Sequence, residues 1–328
     1  MGRRLIVRKE IWDIGGGFSI YRSRKWAAEV LMVEIHEGGV RGRGEGVPNR
    51  RQGKNLGDVA AQIAKVRDLV ESGSLNRVGL QTLLPPGAAR NALDCAYWDL
   101  ESKLKDVPVW KLAGLPEPKP LITAFTVTLD KPAAMASVAR ENKHRPLLKI
   151  KLGGPDDLER VRGVRAAAPE AKLIVDANEA WTPVTYSEHA SELARMGVKL
   201  LEQPLPAGQD AVLASLERSV PLCADESLHD SSDLAAVAKL YDFVNIKLDK
   251  AGGLTEATKI ADAARDRGIS IMIGCMVGTS LGMAPAFLLG AYAQIVDLDG
   301  PLLLAEDRPG GIQYDGGIMQ PPPSDVWG

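Results

Sequence analysis

Apolar and polar positions along the chain follow two rhythms. Over residues 3–46 the runs RLIVRKEIW, RKWAAEVLMVEIHEGG and VRGRGEG are β-rich and parted by glycine clusters, which predicts antiparallel strands. Gly38-Gly39, between MVEIHE and VRGRGE, predicts a hairpin turn. Residues 56–72 are periodic in Val, Ile and Leu, and 87–104 (GAARNALDCAYWDLESKL) place apolar residues three to four apart; both predict helices. Residues 1–115 therefore read as an α+β unit.

From about residue 120 the pattern changes. Short apolar runs recur as LITAFTV, LLKIK, KLIVD, VKLLE, PLCAD, DFVNIK, SIMIG and QIVDLD, with helix-patterned stretches such as DDLERVRGVRAAAP and LTEATKIADAARDRG between them. That alternation predicts parallel strands joined by crossover helices. The runs end near Lys151, Asp176, Glu202, Asp225, Lys247, Gly274 and Asp297, in steps of 25, 26, 23, 22, 27 and 23 residues. With TAFTV in front there are eight strands, which argues for a (β/α)8-type barrel rather than an open sheet.

Composition narrows the class. Of 328 residues, 45% are hydrophobic and 25% charged, so the chain is neither disordered nor a disulfide scaffold. The net charge of −2, without a basic block interleaved with aromatics, argues against nucleic-acid binding. Cys95, Cys223 and Cys275 are scattered, which suits a reducing compartment. No apolar stretch approaches a membrane span, the start MGRRLIVRKEIWD is too short for a signal peptide, and Gly2 lacks the Ser or Thr of a myristoylation signal. A cytoplasmic protein without membrane partners is expected.

The chemistry stands at the strand ends. Strands buried on both sides should not finish in charge without a reason, and in a barrel these ends meet at the C-terminal face, where active sites are built. Asp176, Glu202 and Asp225 end three consecutive strands. Brought together they would repel one another, and a hard divalent cation such as Mg²⁺ relieves that repulsion. No His or Cys converges with them, against zinc; His36, His144, His189 and His229 show no ligand spacing and read as surface residues. Lys149 and Lys151, two apart on one strand, point the same way. Lys247 ends a strand roughly across the barrel. A lysine near a cation and other ammonium groups has its pKa lowered and can act as a base. Two facing lysines could remove a proton on one face of a carbon and return one on the other, with the metal holding the enolate between them. That is racemisation or epimerisation next to a carboxylate.

The ordered set KIK (149–151), DAN (176–178), EQP (202–204), ADES (224–227) and NIKLDKAGG (245–253) resembles the enolase superfamily, muconate-lactonizing subgroup. LPPGAARNALDCAYWDL, IVDANEAW, LLEQPLPA, VNIKLDKAGGLTEA and DLDGP are most similar to the dipeptide epimerases acting on L-Ala-D/L-Glu. The resemblance spans essentially the whole chain. It implies a modified (β/α)7β TIM-type barrel over 116–308, an N-terminal α+β capping domain over 1–115, and a Pro- and Gly-rich tail (309–328) returning to the cap. It further implies Mg²⁺ on Asp176, Glu202 and Asp225, with Lys151 and Lys247 as the two acid/base catalysts and Lys149 on the substrate carboxylate. Asp297 and Asp299 would receive the α-ammonium of a dipeptide, and a cap arginine its side-chain carboxylate; Arg24 is the choice, with Arg22 and Lys25 beside it. Gly274 and Met276 would line the pocket. The implied reaction is epimerisation at the α-carbon of the C-terminal residue, L-Ala-L-Glu to L-Ala-D-Glu, in the recycling of cell-wall peptide, by a dimer or octamer. N-acylamino acid racemisation, o-succinylbenzoate synthesis, muconate cycloisomerisation and a non-catalytic barrel are the alternatives. Gly15-Gly16-Gly17, with no Lys-Ser/Thr or helix behind it, reads as a cap turn rather than a phosphate loop, and Cys95 as packed within the cap.

Overall fold

The structure, a computed structural model, describes residues 2–328. Three antiparallel strands open the chain: β1 (Arg4–Ile20), β2 (Ser23–Glu37) and β3 (Val40–Gly46). Gly38 and Gly39, at φ +60° and +83°, make the expected hairpin turn. The triplet Gly15–Gly17 is not a turn. It lies inside β1 as a bulge, where the pairing jumps from Asp13↔Ala27 to Phe18↔Lys25, and the turn proper falls at Tyr21-Arg22.

The helical stretch 56–72 is two helices, α1 (Leu56–Ala64) and α2 (Arg67–Glu71), followed by α3 (Arg77–Leu83) and the long α4 (Ala88–Lys105). The backbone of α4 lies directly on β3. A Cβ on Gly42, Gly44 or Gly46 would stand within 2.3 Å of a carbonyl oxygen of α4, so the alternating glycines of VRGRGEG are required by contact. Cys95 faces away from this sheet and joins the barrel's hydrophobic core, so it packs across the seam rather than within the cap.

The run LITAFTV divides into β4 (Leu121–Ile122) and β5 (Phe125–Val127). Then come β6 (Leu147–Lys151), β7 (Lys172–Asp176), β8 (Val198–Glu202), β9 (Leu222–Ala224), β10 (Phe243–Lys247), β11 (Ser270–Gly274) and β12 (Ile295–Asp297). Strands β5 to β12 are parallel and neighbours in sequence order, and Ala124 N donating to Val296 O at 2.8 Å joins the two ends. Two crossovers are less helical than the pattern predicts. Pro204, Pro206, Gly208 and Pro221 leave only a 3-10 turn, Asp210–Ser215, between β8 and β9, and a single helical turn, Leu234–Val237, precedes β10.

Side chains alternate along each strand, so inward residues recur every second position. Leu147, Ile174, Leu200, Cys223 and Met272 form a buried apolar floor inside the barrel. Two residues further along come Lys149, Asp176, Glu202, Asp225 and Gly274, and above Lys149 comes Lys151. The polar layer thus rests on a closed hydrophobic base. In the tail, β13 (Tyr314–Asp315) pairs with β14 (Ile318–Met319), which pairs with β4, and the last residues return to α4, where Trp327 Nε1 donates to Cys95 O at 3.0 Å. No helix among the described residues is long and apolar enough to cross a membrane.

Candidate active site

Asp176, Glu202 and Asp225 meet at the strand ends with one carboxylate oxygen of each within 4.8 Å of the others, and all three are buried. Each has one oxygen already held by a fixed donor. Asn178 N donates to Asp176 Oδ1 (2.8 Å), Asn245 Nδ2 to Glu202 Oε1 (2.7 Å) and Lys250 Nζ to Asp225 Oδ1 (2.6 Å). The remaining three oxygens face ammonium groups. Lys151 lies 2.6 Å from Asp176 Oδ2, Lys149 2.7 Å from Glu202 Oε2, and Lys247 2.7 Å from Asp225 Oδ2. An all-oxygen set offering one atom per residue fits a hard cation that takes monodentate carboxylates.

The crowding shows in the titration. Burial, then the charges of Asp176 and Asp225, push the Glu202 carboxyl up to about 7. Burial alone would lower Lys149 and Lys247, but the surrounding carboxylates outweigh it and raise both. The lowering expected from the sequence depends on a cation that takes up that negative charge.

Lys151 and Lys247 sit on β6 and β10, four strands apart in an eight-stranded barrel, hence on opposite sides. A cavity of about 200 Å³ opens between them, lined also by Lys149, Thr126, Met276, Asp297 and Asp299. Lys149 bridges inward to Asp297 Oδ2 at 2.7 Å, leaving Asp297 Oδ1 buried without a hydrogen-bond partner. Thr126 N donates to Asp299 Oδ2 at 2.7 Å, while burial and the neighbouring Asp297 push Asp299 up to about 6.

Gly274 does not line this cavity. A Cβ there would lie 2.4 Å from Asn245 Oδ1, so the glycine makes room for the amide that holds Glu202. His229 sits at the cavity rim instead of on the outer surface.

The cap closes the mouth. Arg22 donates to Asn178 O (2.5 Å) and Glu226 (2.8 Å), and Arg51 forms a two-pronged pair with Glu179 at 2.5 Å. Arg24 lines the cavity and stacks its guanidinium on Trp26, 4.5 Å from the ring centroid. Lys25 lines it too and pairs directly with Phe18, whose ring lies 5.8 Å from Lys151 Nζ. Burial, with Arg50 and Arg22 nearby, lowers the Lys25 pKa. Lys250 and Asn245 were not among the sequence candidates; a lysine three residues behind Lys247, in the turn LDKA, was the available signal.

Models of two family domains match the chain: the mandelate racemase/muconate lactonizing enzyme N-terminal domain over residues 3–114 and the enolase C-terminal domain-like unit over 133–324. This chain belongs to the mandelate racemase/muconate lactonizing enzyme family of the enolase superfamily. It is similar to the L-Ala-D/L-Glu epimerase of Escherichia coli (strain K12), 43% identical over 97% of this chain and 99% of that one. The N-acetyl-D-glutamate racemase of Pseudoalteromonas sp. is 42% identical, covering 91% and 95%. The crystal structure of an enolase family member from Agrobacterium tumefaciens, with homology to dipeptide epimerases and holding sodium and L-Ala-L-Glu, is 47% identical. It superposes with a TM-score of 0.97 over 99% of this chain and 100% of that one.

Proposed function

We propose that the chain is a Mg²⁺-dependent dipeptide epimerase inverting the α-carbon of a C-terminal glutamate, L-Ala-L-Glu to L-Ala-D-Glu and back. The observation that carries this reading is the placement of Lys151 and Lys247 on opposite sides of a cavity lined by Asp225, whose carboxylate meets those of Asp176 and Glu202. Asp176, Glu202 and Asp225 would hold the cation, which when bound supplies positive charge to the substrate carboxylate. One lysine, entering neutral, takes the α-proton from its face; the carbon becomes planar and anionic; the other lysine, entering protonated, delivers a proton to the opposite face. The roles exchange in the reverse direction. Lys149 adds a fixed cation beside the substrate carboxylate. Asp297, with its unpartnered oxygen, and Asp299 form the receptor for the α-ammonium of the first residue. Arg24, with Lys25 beside it at the cavity, meets the side-chain carboxylate. The apolar floor and the cap loops exclude water from the anionic carbon.

The working division of the chain is a cap over 1–115, a barrel over 116–308 and a tail over 309–328. Three free thiols suit action in the cytoplasm, on peptides released from the cell wall.

Similarity to an N-acetyl-D-glutamate racemase favours a second reading, in which an acyl group replaces the alanyl residue. That substrate has no ammonium for Asp297 and Asp299. Proton NMR in D₂O, with Mg²⁺ and either L-Ala-L-Glu or N-acetyl-L-glutamate, separates the two. Loss of the glutamyl α-proton signal with appearance of the L,D diastereomer supports epimerisation. Exchange of N-acetylglutamate alone replaces it with the racemase, and exchange of neither overturns both.

A further inference from the structure

The donors behind the triad are as ordered as the triad itself. Lys250, only 6% exposed, spends all three of its N–H groups on protein: Asp225 Oδ1 at 2.6 Å, the Asp225 carbonyl, and Asn245 O at 3.2 Å. Asn245, fully buried, turns its amide to Glu202 Oε1 at 2.7 Å, in space left by Gly274. Backbone and ammonium link these two residues into one rigid support, and each fixes the orientation of a triad carboxylate by holding one of its oxygens.

We propose that Lys250 and Asn245 are positioning residues that set which divalent cation the site accepts, by holding Asp225 and Glu202 to one available oxygen each. The inference rests on the reading of the triad as a cation site and goes beyond it to selectivity. Mg²⁺ demands near-octahedral geometry and keeps water in its remaining positions, which monodentate carboxylates allow. Ca²⁺ takes six to eight oxygens and gains from bidentate carboxylates. A second oxygen freed on Asp225 or Glu202 permits the bidentate mode and so favours Ca²⁺. The charge lost with Lys250 acts equally on both divalent ions and cancels in the ratio of their affinities.

The test is calorimetric titration of the metal-free protein with MgCl₂ and with CaCl₂, in the parent chain, Lys250→Met and Asn245→Ala, with folding of each variant checked by thermal melting without metal. The expected result is a fall of about tenfold or more in Kd(Ca²⁺)/Kd(Mg²⁺) for each folded variant, in line with the usual effect of removing a ligand's supporting partner. Should Lys250→Met not fold, Asn245→Ala alone decides by the same ratio. A ratio within about twofold of the parent in a folded variant overturns the inference while leaving the cation site standing. Failure of the parent to bind either ion overturns the cation site and this inference with it.

Discussion

Phe18 and Lys25 are direct cross-strand partners on β1 and β2, so the ring that reaches Lys151 and the cap lysine share one face of the sheet. Arg24, one residue earlier, lines the same cavity and stacks on Trp26. Arg24→Met should lower kcat/KM for L-Ala-L-Glu by about ten- to a hundredfold, the value of a charge-assisted hydrogen bond to the substrate's side-chain carboxylate. Lys25→Met, which removes the neighbouring cation, should cost less. Steady-state kinetics on both variants checks this; a larger loss with Lys25→Met would assign the carboxylate to Lys25.

Lys151→Ala and Lys247→Ala should each abolish epimerisation, a loss of about a hundredfold or more. Because the two lysines stand on opposite sides of the barrel, each variant keeps the ability to exchange the α-proton from one face only. Incubating the L,L and L,D dipeptides separately in D₂O should give exchange of one diastereomer with Lys151→Ala and of the other with Lys247→Ala.

A divalent cation held by Asp176, Glu202 and Asp225 binds the folded chain and not the unfolded one, so it should stabilise the fold. At a Mg²⁺ concentration a hundred times Kd the gain is about 2.7 kcal/mol, several degrees in Tm. Chelation should reverse it, and Asp225→Asn should show little or no shift. Thermal melting with and without Mg²⁺ measures both.

Among the buried carboxyls at the seam between cap and barrel are Asp249 and Asp94. Asp249 accepts from Val47 N (2.8 Å) and Asn91 (2.9 Å), and burial pushes it up to about 7. Asp94, which accepts from Thr255 N at 2.9 Å, is pushed up to about 6, again by burial. Both values exceed the ordinary 3.8, so between about pH 4 and 7 the folded chain binds more protons than the unfolded chain. Their contribution to stability is present at acid pH and is lost as pH rises through about 6 and 7. Asp249→Asn and Asp94→Asn should each flatten that decline by up to about 1 kcal/mol per pH unit, read from urea unfolding across the range.

Gly253 has φ +113°, and a Cβ there would stand 2.4 Å from Asp94 Oδ2. Gly253→Ala forces both a strained backbone and a shift of α4, and should destabilise the chain by about 2 kcal/mol or more. Because the turn it belongs to follows Lys247, activity should fall along with the melting temperature.

The residue pattern alone determined the barrel, because buried parallel strands must be continuously apolar and each βα unit has a nearly constant length. It also exposed the polar layer: Asp176, Glu202, Asp225, Lys151 and Lys247 are charges at the ends of apolar runs, and burial needs a reason for them. What the tertiary structure decided depends on contacts between residues far apart in sequence. Gly274 reads as a pocket residue until Asn245 is seen to fill the space of its missing Cβ. Lys250 has no assigned part in the motif NIKLDKAGG until it is found buried on Asp225. Arg24 and Lys25 are both cations, and the bulge in β1 that fixes their pairing with β1 leaves no trace in the residue pattern. Periodicity reports which residues are buried; which atoms then meet is fixed by register and packing, and these arise only when the cap closes on the barrel.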